Sequence, residues 1–336
     1  MNKKKISTIL ISYSQSVNQA TLTDSHLGKI REAAPGAHII IIQNAEEWDQ
    51  HRVNADVLKT DVAFGKIYGN WIKDLPKLCW AHLTTAGVDR LSAHAPEIKA
   101  RNLIITNSSG VHAIPIAEHV MAMILTLSRD IQRSIRRQIQ HRWINRDHWD
   151  HITEVDGTTM GIIGIGRIGK MIAKRAKAFN MEVLGTQRNP KKPVSFVDKI
   201  YGPDGLKDLL ASSDWVVVAV PLTPETEGMI GESELKAMKK SAYLINIARG
   251  KIIQEKALIR ALQNGRIAGA GLDVFEEEPL PEESPLWDME NVVITPHHAG
   301  VSPHHMNRRF EIFIENLKRY QAGDNLINTV DINLGY

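Results

Sequence analysis

The stretch Gly161-Ile-Ile-Gly-Ile-Gly-Arg-Ile-Gly-Lys170 sets Gly164, Gly166 and Gly169 in the spacing G-x-G-x-x-G. The apolar run "MGIIGIG" leads into it, and "RIGKMIAKRAKAF" leads out with helical periodicity. A strand obliged to turn into a helix through glycines leaves few folds open. The first glycine permits the tight turn, the second lets a pyrophosphate reach the backbone, and the third lets helix pack close to strand. The N–H groups opening the helix, around Arg167 and Ile168, then face phosphate. Without its flanks the pattern would be weak, because glycine-rich turns are common. Between a strand and a helix it favours dinucleotide binding over a structural turn.

The same alternation runs through most of the chain. "STILISY", "HIIIIQ", "DVAFGKI", "LCWAHLTT" and "NLIIT" read as strands separated by helical patterns. A second series follows the glycine loop: "MEVLGTQ", "WVVVAVPLT", "AYLINIA", "IAGAGLDVF" and "NVVITP". Such continuous apolar runs suit parallel strands covered on both faces, so the class is α/β. At 336 residues, two domains are the expectation. No uninterrupted apolar stretch reaches membrane-spanning length, and the start "MNKKKISTILISYSQ" is too short and too polar for a signal peptide. The lone cysteine, Cys79, excludes an internal disulfide and fits a cytoplasmic setting. Its surroundings, "KLCWAHL", suggest a buried, inert thiol.

Between the two series the pattern is helical. "IPIAEHVMAMILTLSRDI" is too apolar for an exposed helix and belongs in a core or a subunit interface. "RSIRRQIQHRW" after it could be read as nucleic-acid binding. With a net charge of only +3 and little aromatic interleaving, a solvated face or dimer arm fits better, with no nucleic acid partner.

An NAD site places an acidic residue about twenty residues past the glycine loop, on the ribose hydroxyls. This chain has Gln187 and Arg188 there, with Lys191 and Lys192 behind. A carboxylate would repel a 2′-phosphate, whereas an amide beside a guanidinium accepts one, which favours NADP. A merely solvated Arg188 would leave NAD, or both.

The later motifs, "VPLTPETEGMIG", "LINIARGKIIQ", "GAGLDVFEEEPLP" and "NVVITPHHAG", taken in order, resemble the D-isomer-specific 2-hydroxyacid dehydrogenases, the family of glyoxylate/hydroxypyruvate reductases. "TTAGVDRL" resembles the family more weakly. The resemblance implies two Rossmann-like doubly wound domains with a cleft between them. Residues 1–103 with 301–336 would form the substrate domain, and 104–300 the NAD(P)-binding domain. It implies a homodimer joined through residues 111–149, with Trp143 a speculative substrate contact. Catalysis would fall to His297 as acid–base group, Glu278 as its partner and Arg249 on the substrate carboxylate. Asp273 would receive the nicotinamide carboxamide, and Pro221, Ile247 and Ala248 would line the cofactor. Backbone N–H groups of Gly87 and Val88 would complete the carboxylate cradle.

Chemistry makes the same demands. Hydride delivered to a 2-oxo acid leaves negative charge on oxygen, so a proton must arrive there, and a neighbouring carboxylate favours the charged ring that supplies it. Arginine's planar fork holds a carboxylate at two points. Taken singly, Arg249, Asp273 and the "EEE" run have bland readings as a strand-end charge, a loop cap and a solvated turn. Together, at strand ends after a glycine loop, they form a site.

Four histidines, His297, His298, His304 and His305, crowd nine residues. Adjacent side chains in an extended segment diverge and hydride transfer needs no metal, so no metal is expected. His298 should point away from His297, and His304 and His305 should open the last helix on the surface. The expected partner is a small 2-oxo or 2-hydroxy acid, of glyoxylate or hydroxypyruvate type, with Lys66 a candidate for a charged tail. The alternative is a dinucleotide-sensing corepressor with little turnover, as some relatives are.

Overall fold

The computed structural model describes residues 5–12, 22–65, 70–143, 149–190 and 193–332. Lys66, Lys191 and Lys192 lie outside the described residues. The chain forms two compact units, Met1–Val111 with Ser302–Tyr336, and His112–Val301.

The first unit holds β1 (Thr8–Ser12), β2 (His38–Ile42), β3 (Val62–Gly65), β4 (Trp80–Leu83) and β5 (Ile104–Asn107). They form a five-stranded sheet in the order β2-β1-β3-β4-β5, parallel throughout. The central strands are buried along their length, as their unbroken apolar runs require. The helix His305–Ala322 brings the chain end back to this unit, where Phe310, Phe313 and Leu317 pack with Ile9, Phe64 and Trp80. One expectation is corrected here. Residues 104–107, expected to open the second domain, pair with β4, Trp80 opposite Ile104, and the division falls after Val111. A short apolar run before a helix could serve either sheet, and only pairing decides. Cys79 is also corrected: it is exposed at the sheet end just before β4, its Sγ 3.2 Å from the Lys77 carbonyl oxygen.

The second unit holds β6 (Thr159–Ile163), β7 (Glu182–Thr186), β8 (Lys199–Tyr201), β9 (Trp215–Val218), β10 (Tyr243–Asn246), β11 (Gly269–Leu272) and β12 (Val292–Ile294). Their order is β12-β11-β10-β9-β6-β7-β8, again all parallel. Alternate residues feed two separate cores. Val216, Val218 and Leu244 pack with Leu209, Leu235 and Leu258 of one helix layer, while Val217 and Ile245 pack with Val120, Ile124, Ile172 and Ala173 of the other. That period of two is what a sheet covered on both faces produces. The apolar helix Ala113–Ser128 is therefore core, as its composition demands.

The arginine-rich helix Ile131–Ile139 is turned the other way from the simple reading. Arg133 pairs with Asp130 and Glu290, and Arg136 donates to the carbonyls of Trp287, Asp288 and Met289. With Ser134 and Gln138, its exposed residues include Ile131, Ile135 and Ile139, 42%, 50% and 76% exposed. Among the described residues, no helix is long and apolar enough to cross a membrane.

Candidate active site

Strand order reverses at β6, which lies between β9 and β7. Open α/β sheets bind ligands in the crevice beyond the strand ends at such a switch point. The glycine loop leaves β6 there. Gly164 has φ +101, in the left-handed region that favours glycine. Its N–H donates to the Thr186 hydroxyl at 3.0 Å, and the Ile165 N–H donates to the Thr186 carbonyl at 2.9 Å. A Cβ on Gly169 would sit 2.3 Å from the Gly164 carbonyl oxygen, so helix and turn meet too closely for a side chain. A Cβ on Gly166, the residue capping the helix Arg167–Ala178, would meet nothing within 4 Å. The two outer glycines are needed for packing, and the middle one keeps an open approach to a helix N-terminus. That arrangement fits a dinucleotide pyrophosphate.

Beyond β7, the Gln187 amide donates to the Ile165 carbonyl at 2.8 Å, bracing the glycine loop. Arg188 is exposed. The Glu225 carboxyl is held below its ordinary range by the Thr223 hydroxyl, then by its own backbone N–H, with the Arg188 charge contributing less. Arg188 thus lies within electrostatic reach of the segment following β9, in which the Pro221 carbonyl accepts the Thr226 hydroxyl at 2.7 Å.

The other residues leave the same ends of β10, β11 and β12. Ile247 and Ala248 follow β10 with buried side chains. The turn there is held by Asn246, whose amide accepts the Ala248 N–H at 3.1 Å and donates to the Arg249 carbonyl at 3.0 Å. Asn246 escaped the sequence reading, although an asparagine closing a strand before a turn is a recognisable signal. Arg249 is half-buried, with Nη1 donating to the Ala248 carbonyl at 2.7 Å. A Cβ on Gly250 would fall 1.8 Å from the Phe275 carbonyl carbon, so the glycine after Arg249 admits the segment that carries Glu278.

His297 and Glu278 come together. Nδ1 of His297 lies 2.6 Å from Oε2 of Glu278, while Oε1 accepts the Phe275 N–H at 3.1 Å. Asp273, immediately after β11, is 2% exposed. Its Oδ1 accepts the Thr295 hydroxyl at 2.6 Å and the His298 N–H at 3.0 Å, and its Oδ2 accepts the Ala299 N–H at 3.0 Å. The expected cofactor ligand therefore also clamps the turn that bears His297.

The neighbouring histidines separate. The ring of His298 stands edge-on to His119, centroids 5.3 Å apart. His304 is exposed, whereas His305, expected on the surface, is 4% exposed, its Nδ1 against the Ser302 carbonyl. Burial is the main reason its pKa is lowered. Helix geometry turns adjacent residues to different faces, and the second of this pair faces inward. Donor atoms of His119, Asp273 and His298 lie within 4.8 Å of one another, as a metal site would require. Both lone-pair directions of Asp273 Oδ1 are already taken by Thr295 and His298, so the cluster reads as a hydrogen-bond network. Gly87 and Val88 follow β4 in the first unit, Val88 with its side chain in that core.

Residues 121–299 match the model of the D-isomer specific 2-hydroxyacid dehydrogenase, NAD binding domain. The chain is 35% identical over 308 residues to a glyoxylate reductase of Korarchaeum cryptofilum, covering 89% of this chain and 88% of that one. It is 41% identical over 258 residues to a glyoxylate reductase of Pyrococcus horikoshii, covering 75% and 76%. Among solved structures, a D-isomer specific 2-hydroxyacid dehydrogenase of Xanthobacter autotrophicus, in complex with NADPH and MES, superposes with a TM-score of 0.82 at 31% identity, over 99% of this chain and 100% of that one.

Proposed function

This chain belongs to the D-isomer-specific 2-hydroxyacid dehydrogenases, and from that premise we propose that it reduces a small 2-oxo acid of glyoxylate or hydroxypyruvate type to the D-2-hydroxy acid with NADPH. The observation that carries the reading is the 2.6 Å bond between His297 and Glu278, at the strand ends that also bear the glycine loop.

A carboxylate only accepts, so the shared proton sits on Nδ1 of His297. Nε2 is then the nitrogen that exchanges a proton with substrate oxygen. Glu278 is itself fixed by the Phe275 N–H, which sets the plane of the imidazole. The reduced nicotinamide supplies the hydride when bound. As the carbonyl carbon gains hydride, its oxygen takes the proton from His297 and the ketone becomes an alcohol. Arg249 is assigned the substrate carboxylate: the Asn246-braced turn holds its backbone, and a planar guanidinium matches a carboxylate at two points. Gly164, Gly166, Gly169 and the N–H groups of Arg167 and Ile168 are assigned the pyrophosphate. Arg188 is assigned the 2′-phosphate, and Asp273, with Pro221, Ile247 and Ala248, the nicotinamide end.

NADPH binding to the Xanthobacter relative supports NADP as the preferred cofactor, with NAD also accepted. The outward-facing isoleucines of the helix Ile131–Ile139 support a homodimer formed through residues 111–149. The test is oxidation of NADPH and NADH by the purified chain with a panel of 2-oxo acids. Turnover with glyoxylate or hydroxypyruvate is expected, and tight dinucleotide binding without turnover on any acid would replace the enzyme reading with a sensor.

A further inference from the structure

His297 holds φ +51, a left-handed backbone that costs a residue other than glycine roughly 1–2 kcal/mol. Such a conformation persists only where its surroundings over-determine it. Here the surroundings are Asp273. Its backbone carbonyl accepts the His297 N–H at 2.9 Å, and its carboxylate accepts from Thr295, His298 and Ala299. Behind this clamp stands a residue with no role so far. His119, on the helix Ala113–Ser128, has Nε2 3.0 Å from the Thr295 hydroxyl oxygen and 3.8 Å from Asp273 Oδ1.

The proton positions follow from the distances. A 2.6 Å contact between a hydroxyl and a carboxylate oxygen has the hydroxyl proton between them. Thr295 has no second proton, so towards His119 it accepts, and the imidazole must donate from Nε2. Burial, opposed by the Asp273 charge and assisted by His298, lowers the pKa of His119. A neutral ring has one proton, and in this setting it is on Nε2.

We infer that His119 is a positioning residue: its Nε2–H turns the Thr295 hydroxyl onto Asp273 and thereby holds the segment that presents His297. Without that donor the hydroxyl is free to rotate, Oδ1 loses a short bond, and the strained turn relaxes away from its left-handed conformation. The kinetic part rests on the dehydrogenase reading above. It predicts a loss in kcat and not in substrate binding, because Arg249 is carried by a different strand end.

Two experiments on the full chain decide the matter. Side-chain nitrogen NMR at neutral pH should find His119 as the Nε2–H tautomer, and the Nδ1–H tautomer would overturn the inference whatever the enzyme turns over. In steady-state kinetics, His119→Phe should lower kcat by about tenfold to a hundredfold with KM for the oxo acid within about twofold, the size of effect a small misplacement causes. His119→Gln, which can donate from nearly the same place, should recover most of the rate. Thr295→Val should match His119→Phe, and the double variant should be no worse than the worse single, as expected of residues in one chain of bonds. An unchanged kcat in His119→Phe, or losses that multiply in the double variant, would sink the brace alone. A wild type that oxidises NADPH with no oxo acid would sink the dehydrogenase reading and the kinetic role with it.

Discussion

At the scale of single residues, the His297–Glu278 pair is half open to solvent, 50% and 35% exposed. Water and salt weaken its Coulomb energy at that exposure, so its larger contribution is to fix the proton on Nδ1 and the ring in one plane. His297→Gln should therefore lower kcat by roughly 10²–10⁴, the usual share of a general acid, with NADPH affinity little changed. A near-normal rate in stopped-flow reduction would take His297 out of the mechanism. A different histidine contributes to acid sensitivity. Burial first, and then the charge of Arg309, lowers the pKa of His82 to about 3. Between the ordinary value near 6.5 and that value, the unfolded chain binds a proton that the folded one refuses. Folding stability therefore falls as pH drops through this window, by about 1.4 kcal/mol per pH unit. Denaturant titration at pH 7 and pH 5 should show the wild type losing about 2 kcal/mol more than His82→Gln; equal losses would mean that His82 titrates normally in the fold.

At the scale of elements, legibility followed periodicity and motif. The runs around β6, β9, β10 and β11 could be read because strands buried on both faces leave unbroken apolar stretches. β8 could not, because its three residues "KIY" form a half-exposed edge that needs no such run. In the candidate site, the pairing of Glu278 with His297 is legible because each stands in a motif with chemical meaning. The bonds of His119 and Asn246 are not: a histidine among apolar helix residues looks like core, and a strand-closing asparagine signals a turn without saying which residue the turn carries. What marks them is a bond to a residue far along the chain, from His119 to Thr295, or a turn whose importance depends on the arginine it carries. Cofactor choice belongs to this scale too, because the proposed 2′-phosphate contact, Arg188, stands on the segment after β7. Arg188→Ala should weaken NADPH about tenfold to a hundredfold, the loss of a charge-assisted contact, and leave NADH nearly unchanged. Equal weakening of both would remove Arg188 from the 2′-phosphate.

At the scale of the whole molecule, the helix Ile131–Ile139 follows a pattern opposite to that of a solvated surface helix. Its arginines are engaged by Asp130, Glu290 and the carbonyls of residues 287–289, and its isoleucines at 131, 135 and 139 face water, with Trp143 95% exposed just beyond. The sequence leaves both a solvated face and a dimer arm open, because a run of arginines is usually the wet side. A row of exposed isoleucines one turn apart is the composition expected of a surface that another chain covers, as the proposed homodimer requires. Light scattering behind size exclusion should accordingly return twice the chain mass of 37.6 kDa. Ile135→Arg sets a charge in the middle of that row, where a desolvated and unpartnered cation opposes association. It should yield the single-chain mass with unchanged far-ultraviolet circular dichroism, since the residue is half in solvent and belongs to none of the buried cores of its chain. A wild type that elutes as a single chain at micromolar concentration, or an Ile135→Arg variant that stays at twice the chain mass, would show that the pairing surface lies elsewhere or does not exist.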